Sequence, residues 1–562
     1  MRRVMRAAAG VMAGGGWRWG LPALLLLAPF LWWPLGAMLW RGIAPDGAPS
    51  SEALRAVLTD GFYWGRLGFT LGQALASTAL ALLVGFPAAY VFALIRFPGR
   101  GLLLAVVTVP FVLPTLVVAL AFQQLLGPGG WFNDALGLAG LGPVQPVGTI
   151  WAILAAHVFY NVSIVVRIVS GVWANLDPRA EEAARLLGAG RWRTFTAVVL
   201  PALAPALLSA GALVFTFTFT SFGVVLVLGG PGLDTLEVTI YRLATRLVNL
   251  PEAAILGFVQ LAATLAALVV YATLQRRLGT RLGLRPDRAR PLGTTSRPER
   301  ALLVAVLLGL ALLIVAPIAA LVHGALTVGA SAAVTGRHFT AIFEDTGRLS
   351  FVAPLDAIRW SLTFAVGAMA IAMLVGAAAA MAIAHTRGGI ATVVDGLLML
   401  PLAVPAVVLG FGYLVTFNRG WYDLRGSPWL VLAAHALIGY PFVLRAVLAV
   451  LRSLDPSLPD AARVLGASPW RVWRAVELPI TARATLVGAI FAFAVSLGEF
   501  GATSLLRRRE FATVPIAIFD ALGRPGPANL GKALALSTIL MAVTALAFLL
   551  IERVRFREVR EF

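Results

Sequence analysis

Cysteine is absent from this chain of 562 residues, which excludes disulfides, thiolate metal ligands and cysteine nucleophiles. Lysine occurs once, at Lys532, outside any glycine-rich loop. The phosphate-binding pattern GxxxxGK(S/T) is missing, so the chain itself is not predicted to hydrolyse ATP. No group of His, Asp and Glu side chains indicates an enzyme, and the sequence predicts no catalytic and no metal-ligating residues.

Charged residues are also scarce. They make up 13% of the sequence, against 59% hydrophobic residues, and the mean hydropathy is +0.88. In an average soluble domain roughly a quarter of the residues are charged, so this composition predicts an integral membrane protein. We assign the formal net charge of +19 to loops on the cytoplasmic side of the bilayer rather than to nucleic-acid binding.

Apolar runs long enough to cross a bilayer occur in both halves of the chain. The predicted spans lie near 20–40, 67–95, 101–126, 147–172, 202–228, 252–275, 300–325, 361–384, 391–416, 428–452, 480–506 and 531–552. The first run is interpreted as an uncleaved span rather than a signal peptide, because it is long enough to cross the membrane. The sequence therefore predicts an all-α polytopic membrane protein with about 12 transmembrane helices.

The basic residues predict the orientation of these spans. The segment 276–300 is rich in Arg, Pro and Gly, which is typical of a cytoplasmic linker. The Arg residues near the N-terminus and in the C-terminal tail fall on the same side, so both termini are predicted to be cytoplasmic. The sequence RRRE at 507–510 falls on the external side, against this trend.

One polar segment occurs twice between apolar runs. The first duplicated segment reads LDPRAEEAARLLGAGRWRTFTAVVLP (Leu176–Pro201), and the second reads LDPSLPDAARVLGASPWRVWRAVELP (Leu454–Pro479). Fifteen of the 26 aligned positions are identical, at an offset of 278 residues. Similarity continues beyond these segments and predicts a first repeat at 1–275 and a second at 301–562. Because each repeat has an even number of spans, the two repeats are expected to be parallel.

Each duplicated segment contains an acid, two alanines and, after three more residues, a glycine. These residues are Glu182, Ala183, Ala184 and Gly188 in the first segment, and Asp460, Ala461, Ala462 and Gly466 in the second. An Asp-Pro pair precedes each set, at Asp177 and Asp455, as is typical of a helix start. The glycine is suited to a helix end. The pattern predicts a short cytoplasmic helix whose small residues can enter a groove on another protein.

This pattern, followed by Leu-Pro, resembles the EAA motif of permeases of ATP-binding-cassette (ABC) importers. The whole chain is similar to the fused two-repeat permeases of thiamine and ferric-iron importers. The resemblance implies the type I ABC importer permease fold in a bacterial inner membrane, with two ATPase subunits docked on the duplicated segments and a solute-binding protein outside. It also implies that ATP and Mg²⁺ belong to the ATPases, with no cofactor in this chain. The second segment departs from the motif in having Asp460 instead of Glu.

The fifth span of each half contains a glycine-centred break, in Phe215–Gly230 and in Phe491–Leu506. Irregular backbone at membrane depth is tolerated where it is buried in protein or lines a cavity, so these breaks are the predicted substrate pathway. The candidate residues are Phe217, Ser221 and Gly223 in the first half, and Glu499 and Gly501 in the second. The GEFG sequence around Glu499 resembles the corresponding stretch of thiamine and ferric-iron permeases.

Several alternatives remain open from the sequence. Glu499 is either a contact for a cationic substrate or the cap of a backbone break, and Phe217 either faces a cation or packs between helices. The duplicated segments are alternatively surface helices without a partner. The alternative function is an ion-coupled secondary transporter of the six-plus-six type, although the intramembrane acids that it requires are nearly missing. Thiamine and ferric iron both remain candidate substrates.

Overall fold

The structure is a computed structural model that describes residues 19–278, 289–328, 333–344, 352–386, 389–418 and 423–560. In these ranges the chain is almost entirely helical, and its strands are two short pairs. The all-α fold class is therefore confirmed. Part of the predicted linker 276–300 lies outside the described residues.

The apolar runs form helices because a helix satisfies its own backbone hydrogen bonds in lipid. The α-helices before the linker are α1 (Leu21–Leu27), α2 (Trp33–Ile43), α3 (Glu52–Thr59), α4 (Gly61–Leu94), α5 (Arg100–Thr108), α6 (Thr115–Leu126), α7 (Trp131–Leu138), α8 (Ile150–Ala174), α9 (Arg179–Leu186), α10 (Arg191–Thr194), α11 (Leu200–Phe219), α12 (Gly223–Leu228), α13 (Leu236–Thr245) and α14 (Leu250–Leu278).

The second half repeats this series. Its α-helices are α15 (Arg297–Leu326), α16 (Arg337–Glu344), α17 (Pro354–Ala384), α18 (Gly389–Met399), α19 (Ala406–Thr416), α20 (Pro428–Ser453), α21 (Ser457–Val464), α22 (Pro469–Val472), α23 (Leu478–Gly498), α24 (Gly501–Leu506), α25 (Val514–Leu522) and α26 (Pro527–Arg560). The strands are β1 (Ile95–Arg96), β2 (Arg290–Pro291), β3 (Thr327–Val328) and β4 (Ala333–Val334). Strands β1 and β2 pair in parallel, and β3 and β4 pair antiparallel.

Ten of the described helical stretches are long and apolar enough to cross a membrane, and the number rises to twelve when each of two bent pairs is one span. The bent pairs are Arg100–Val112 with Thr115–Leu138 (104°) and Ala391–Ala403 with Ala406–Thr416 (89°). Pro114 and Pro405 stand directly before the second helix of each pair, where proline cannot continue the preceding helix. The predicted spans 101–126 and 391–416 are thus broken rather than straight.

The predicted fifth spans are interrupted as well. The first of them, 202–228, comprises helix α11, which ends at Phe219, and the short helix α12. The second, 480–506, comprises helix α23, which ends at Gly498, and the short helix α24. The glycine-centred breaks read from the sequence are therefore present in both halves.

The helices form two compact units. The first unit consists of residues Leu58–Thr239 and Val259–Val334. Its core lies between α4, α8 and α11, where Trp173, Val199 and Leu203 belong to one buried apolar cluster. The ring of Trp173 lies 5.1 Å from that of Phe86. These apolar contacts hold one end of each of the three helices together.

The end of the linker packs on the first unit. Strand β2 pairs with β1, which follows α4 directly. Glu299, in the first turn of α15, accepts hydrogen bonds from the hydroxyl of Tyr90 at 3.1 Å and from Arg290 at 2.9 Å. Its other carboxylate oxygen completes a capping box with Ser296, an arrangement that stabilises a helix start. The start of α15 is thereby fixed to the end of α4.

The second unit consists of the described parts of Met1–Val57, Ile240–Phe258 and Thr335–Phe562. Its core is formed by α17, α20 and α23. The N-terminal helix α2 packs on α19, where a Cβ atom at Gly412 would lie 3.2 Å from Pro34. Each unit therefore contains segments from both halves of the sequence. The repeats 1–275 and 301–562 remain a prediction from sequence similarity.

Candidate functional site

The first duplicated segment forms helix α9 in the first unit. Asp177 accepts a hydrogen bond from the backbone N–H of Arg179 at 3.0 Å, which satisfies one of the free donors at the helix start. Gly188 has a φ of +84°, and the N–H of Ala189 donates to the carbonyl of Ala184 at 3.0 Å. The predicted helix start and glycine stop are therefore both present.

The second duplicated segment repeats this geometry within the second unit. Asp455 accepts a hydrogen bond from the N–H of Ser457 at 2.9 Å, and Gly466 has a φ of +80°. The N–H of Ala467 donates to the carbonyl of Ala462 at 3.0 Å. Sequence identity in the two segments thus corresponds to the same local backbone.

Each short helix presents its motif residues to solvent. Glu182 and Ala183 are exposed in the first segment, and Asp460 and Ala461 are exposed at the equivalent positions of the second. The third residue of each motif, Ala184 or Ala462, is half-buried. Asp460 pairs with Arg463 at 2.7 Å along its own helix.

Two apolar side chains stand fully in solvent at the end of each short helix. Leu186 and Leu187 are 89% and 88% exposed, and Val464 and Leu465 are each 87% exposed. Leaving such side chains in water costs free energy, and an exposed apolar pair at a defined place indicates an interaction surface. Sequence reasoning missed these four residues, although they lie directly before the motif glycines.

A π-helical turn joins each duplicated segment to the span that follows. The turns are Phe195–Val199 and Trp473–Glu477, at equivalent positions of the two segments. Pro201 and Pro479 follow, each as the second residue of the next helix. Because π-turns weaken the regular helix ladder and often mark functional sites, these turns are candidate hinges.

Replacing Gly188 by Ala is expected to weaken the end of α9 by about 1 kcal/mol, because φ is +84° there and only glycine adopts it without strain. No atom lies within 4 Å of the added Cβ, so steric contact is not involved. The matched control is Gly190→Ala, at a φ of −65° and also with nothing within 4 Å. Hydrogen exchange of the segment measures the difference, and equal exchange in both variants would contradict it.

The break in the first unit lies beside a buried histidine. His157 is 2% exposed, and its two ring nitrogens lie 2.8 Å from the hydroxyls of Ser77 and Ser221. The carbonyl of Ser221 accepts a hydrogen bond from Thr235 at 3.0 Å. The predicted pathway residue Ser221 is therefore held by two partners at the break, while the neighbouring Gly223 begins helix α12.

Phe217 packs against another helix. Its ring meets that of Phe111 edge-on, with centroids 5.5 Å apart, and the residue is 36% exposed. An edge-on aromatic pair at this distance is a normal packing arrangement. The packing alternative thus accounts for Phe217, and its membership of the substrate pathway remains a prediction.

The break in the second unit is built around Glu499. This residue is 6% exposed, and its carboxylate accepts hydrogen bonds from the N–H groups of Ala502 at 2.7 Å and Thr503 at 3.0 Å. The hydroxyl of Thr503 donates to it as well. Glu499 therefore caps the start of α24, where the helix dipole favours a negative charge. Gly501 is required beside it, because a Cβ there would lie 2.9 Å from Ala406.

A buried histidine also belongs to this second break. His435 lies 2.7 Å from the hydroxyl of Ser496, 2.9 Å from that of Thr503 and 3.4 Å from a carboxylate oxygen of Glu499. Each break is therefore fixed by a histidine, but only the second contains an acid.

A second buried acid was missed in the sequence. Glu237 is 2% exposed, and one of its oxygens accepts a hydrogen bond from the amide of Gln260 at 3.2 Å. Gln260 is fully buried, and its own carbonyl oxygen has no hydrogen-bond partner. The sequence feature that could have identified Glu237 is its position as an acid within the apolar stretch TLEVTI. In the described ranges, no three His, Asp or Glu side chains converge on a possible metal position.

Comparison with known proteins is consistent with this geometry. Residues 81–283 and 372–558 match the family described as binding-protein-dependent transport system inner membrane component. The thiamine transport system permease protein of Brucella abortus is 28% identical over 492 residues, covering 87% of each chain. That of Escherichia coli is 27% identical over 549 residues, covering 96% of each chain.

One solved structure of lower similarity also aligns. It is the crystal structure of a bacterial ABC transporter involved in the import of the acidic polysaccharide alginate. The alignment has a TM-score of 0.39 and 19% sequence identity, and it covers 46% of this chain and 94% of that chain.

Proposed function

Because the chain belongs to the binding-protein-dependent transport system inner membrane components, a family of non-enzymatic ABC importer permeases in the inner membrane, we propose that it imports thiamine. The relatives named above are thiamine permeases that align over nearly their whole length, which favours thiamine over ferric iron. Family membership also favours this function over an ion-coupled secondary transporter.

We propose that ATPase subunits dock on the duplicated segments, and the exposed apolar pairs of these segments support this. Four apolar side chains at 87–89% exposure sit at equivalent ends of two equivalent helices. Such side chains, next to a polar rim of Glu182 and Asp460, have the make-up of interface anchors. Because there are two segments, we propose two ATPase subunits, which bind the ATP and Mg²⁺ for which this chain has no Walker motif.

Alternating access is proposed to follow from the hinges. Closure of the ATPases would move the two duplicated segments, and each π-turn would pass that movement to α11 or α23. The broken fifth spans then lie on the route of the substrate, with Ser221 and Glu499 at their centres. A solute-binding protein is proposed to deliver thiamine from outside. This orientation requires cytoplasmic termini, as the loop charges indicate.

The absence of cysteine makes a direct test possible. In the variant Leu187→Cys the new thiol is the only one in the chain, so a maleimide photo-cross-linker attaches there alone. We expect an adduct with the proposed ATPase subunit, and none for the control Leu138→Cys, which is similarly exposed at 92% but lies on a helix proposed to be external.

Uptake supplies the second half of the test. Proteoliposomes that contain the permease and its ATPase are expected to import thiamine only with ATP and the binding protein. Import driven by a proton gradient without ATP would overturn the proposal, and so would normal ATP-driven import in a permease that forms no adduct at residue 187.

A further inference from the structure

The candidate hinge of the second unit, the π-turn Trp473–Glu477, contains one residue of an ion pair that has no role in the function proposed above. We call this turn the second hinge. His385 directly follows helix α17, and Glu477 is the last residue of the π-turn Trp473–Glu477. The Nε2 atom of His385 lies 3.4 Å from a carboxylate oxygen of Glu477. The Glu477 side chain is 7% exposed and that of His385 is 32% exposed. The pair joins the second duplicated segment to the cytoplasmic end of α17.

The contacts of His385 favour its protonated form. Its Nδ1 atom lies 2.9 Å from the carbonyl oxygen of Met381, and its Nε2 atom faces the carboxylate of Glu477. Both partners only accept hydrogen bonds, so both ring nitrogens must carry a proton to satisfy them. His435 differs, because the hydroxyls of Ser496 and Thr503 lie closer to its ring nitrogens, at 2.7 and 2.9 Å, than the carboxylate of Glu499 at 3.4 Å. His385 is therefore a charged partner for a nearly buried carboxylate.

The first unit has an apolar contact instead at the equivalent hinge. The residue equivalent to Glu477 is Val199, and the residue equivalent to His385 is Leu94. Val199 is 6% exposed and belongs to the buried cluster with Trp173. Packing of this kind does not depend on pH. The second hinge is thus the one with a titratable connection.

We propose that His385 is a positioning residue of transport: its ion pair with Glu477 passes the movement of the second duplicated segment to α17, and this connection is lost when the imidazole deprotonates. This inference rests on the proposed function, because the movement comes from the docked ATPase. Under this proposal, the passage of movement depends on pH in the second half of the permease and not in the first.

The surrounding charges set the sign of the effect. The hydrogen bond to Glu477 raises the pKa of His385, while burial and Arg463 oppose this rise. Among the described charged residues of the elements packed around the pair, Asp460 pairs with Arg463, Asp395 pairs with Arg445 and Arg452, and Arg471, Arg474 and Arg483 are exposed. Because the pKa of His385 is raised in the folded state, the ion pair is present below the ordinary pKa of histidine and is lost as pH rises through the folded-state pKa.

The test measures how tightly ATP hydrolysis is coupled to import. In proteoliposomes with the ATPase and binding protein, the number of ATP molecules hydrolysed per thiamine imported is expected to rise roughly threefold between about pH 6.5 and about pH 8.5, since a partly exposed ion pair has a modest energy. The variant His385→Arg keeps a positive charge at all these pH values and is expected to show a flat ratio at the low level.

The double variant His385→Leu/Glu477→Val serves as the matched comparison. It installs the residue types found at the first hinge, so it is expected to fold and to show a ratio that does not change with pH. Wild-type pH dependence that persists in this double variant or in His385→Arg would overturn the proposal.

A second measurement separates this inference from the proposed function. The unfolding temperature of the purified permease in detergent is expected to fall more between about pH 6.5 and about pH 8.5 for the wild type than for His385→Arg. Equal decreases would refute the ion pair whether or not an ATPase is present. Lack of ATP-driven import by the wild type would instead refute the proposed function.

Discussion

Aspartate at both Leu186 and Leu187 is expected to release the ATPase from the first half of the permease and to abolish import. These side chains are 89% and 88% exposed, and the proposed interface buries them. Each interface anchor of this kind contributes about 2 kcal/mol to the binding free energy. Burying a charge in the pocket that would hold the anchor adds a desolvation cost. Affinity for the ATPase should therefore fall by roughly a thousandfold, which co-purification and ATP-driven thiamine uptake measure.

The same experiment can be repeated on the second half of the chain. Aspartates at Val464 and Leu465 should give the same loss, because the proposed pair of ATPase subunits uses both docking helices. The matched control is Leu138→Asp, at 92% exposure on helix α7 outside the duplicated segments, which should leave ATPase binding unchanged. Full import by either double variant would contradict the assignment of these residues as anchors.

Replacing Glu499 by Ala is expected to destabilise the second unit by about 3 kcal/mol, because buried donors that lose a charged acceptor are costly. The N–H groups of Ala502 and Thr503 and the hydroxyl of Thr503 would all lose their acceptor. The start of α24 would then be uncapped at membrane depth, so import should fall as well. Thermal unfolding of the purified permease and thiamine uptake measure the two effects.

The variant Glu499→Gln separates capping from substrate binding. An amide oxygen still accepts hydrogen bonds at the start of α24, so most of the stability should return, whereas a role for the negative charge toward a thiamine cation would leave import low. Glu510→Gln is the control, since this acid is exposed. An unchanged unfolding temperature in Glu499→Ala would contradict the cap.

The duplicated segments were predictable because repetition and charge are visible in the sequence. Fifteen identical positions, between apolar runs, were enough to place two helices with a glycine stop. The sequence did not reveal that Leu186 and Val464 stand in solvent, because an apolar residue in a short helix is normally assigned to packing. Their exposure follows from the direction of the helix and not from its composition.

For Glu499, the sequence predicted two alternative roles and could not distinguish them. A substrate contact and a helix cap both require an acid at a backbone break, so the residue type does not distinguish them. The structure shows the carboxylate directed at the N–H groups of α24, as the cap requires, while a substrate contact remains a prediction. The exchange of segments between the units was equally invisible, since a helix that is apolar on all sides carries no pattern that selects its partner.

That exchange has a consequence for how the protein is made. Helix α2 packs on α19, which is synthesised several hundred residues later. Helix α15, which packs on α6 in the first unit, is made only after the linker. Neither sequence half contains all the helices of one compact unit, so neither unit is complete during early synthesis. Joining both halves in one polypeptide guarantees that every ribosome delivers the missing helices in equal number and into the same patch of membrane.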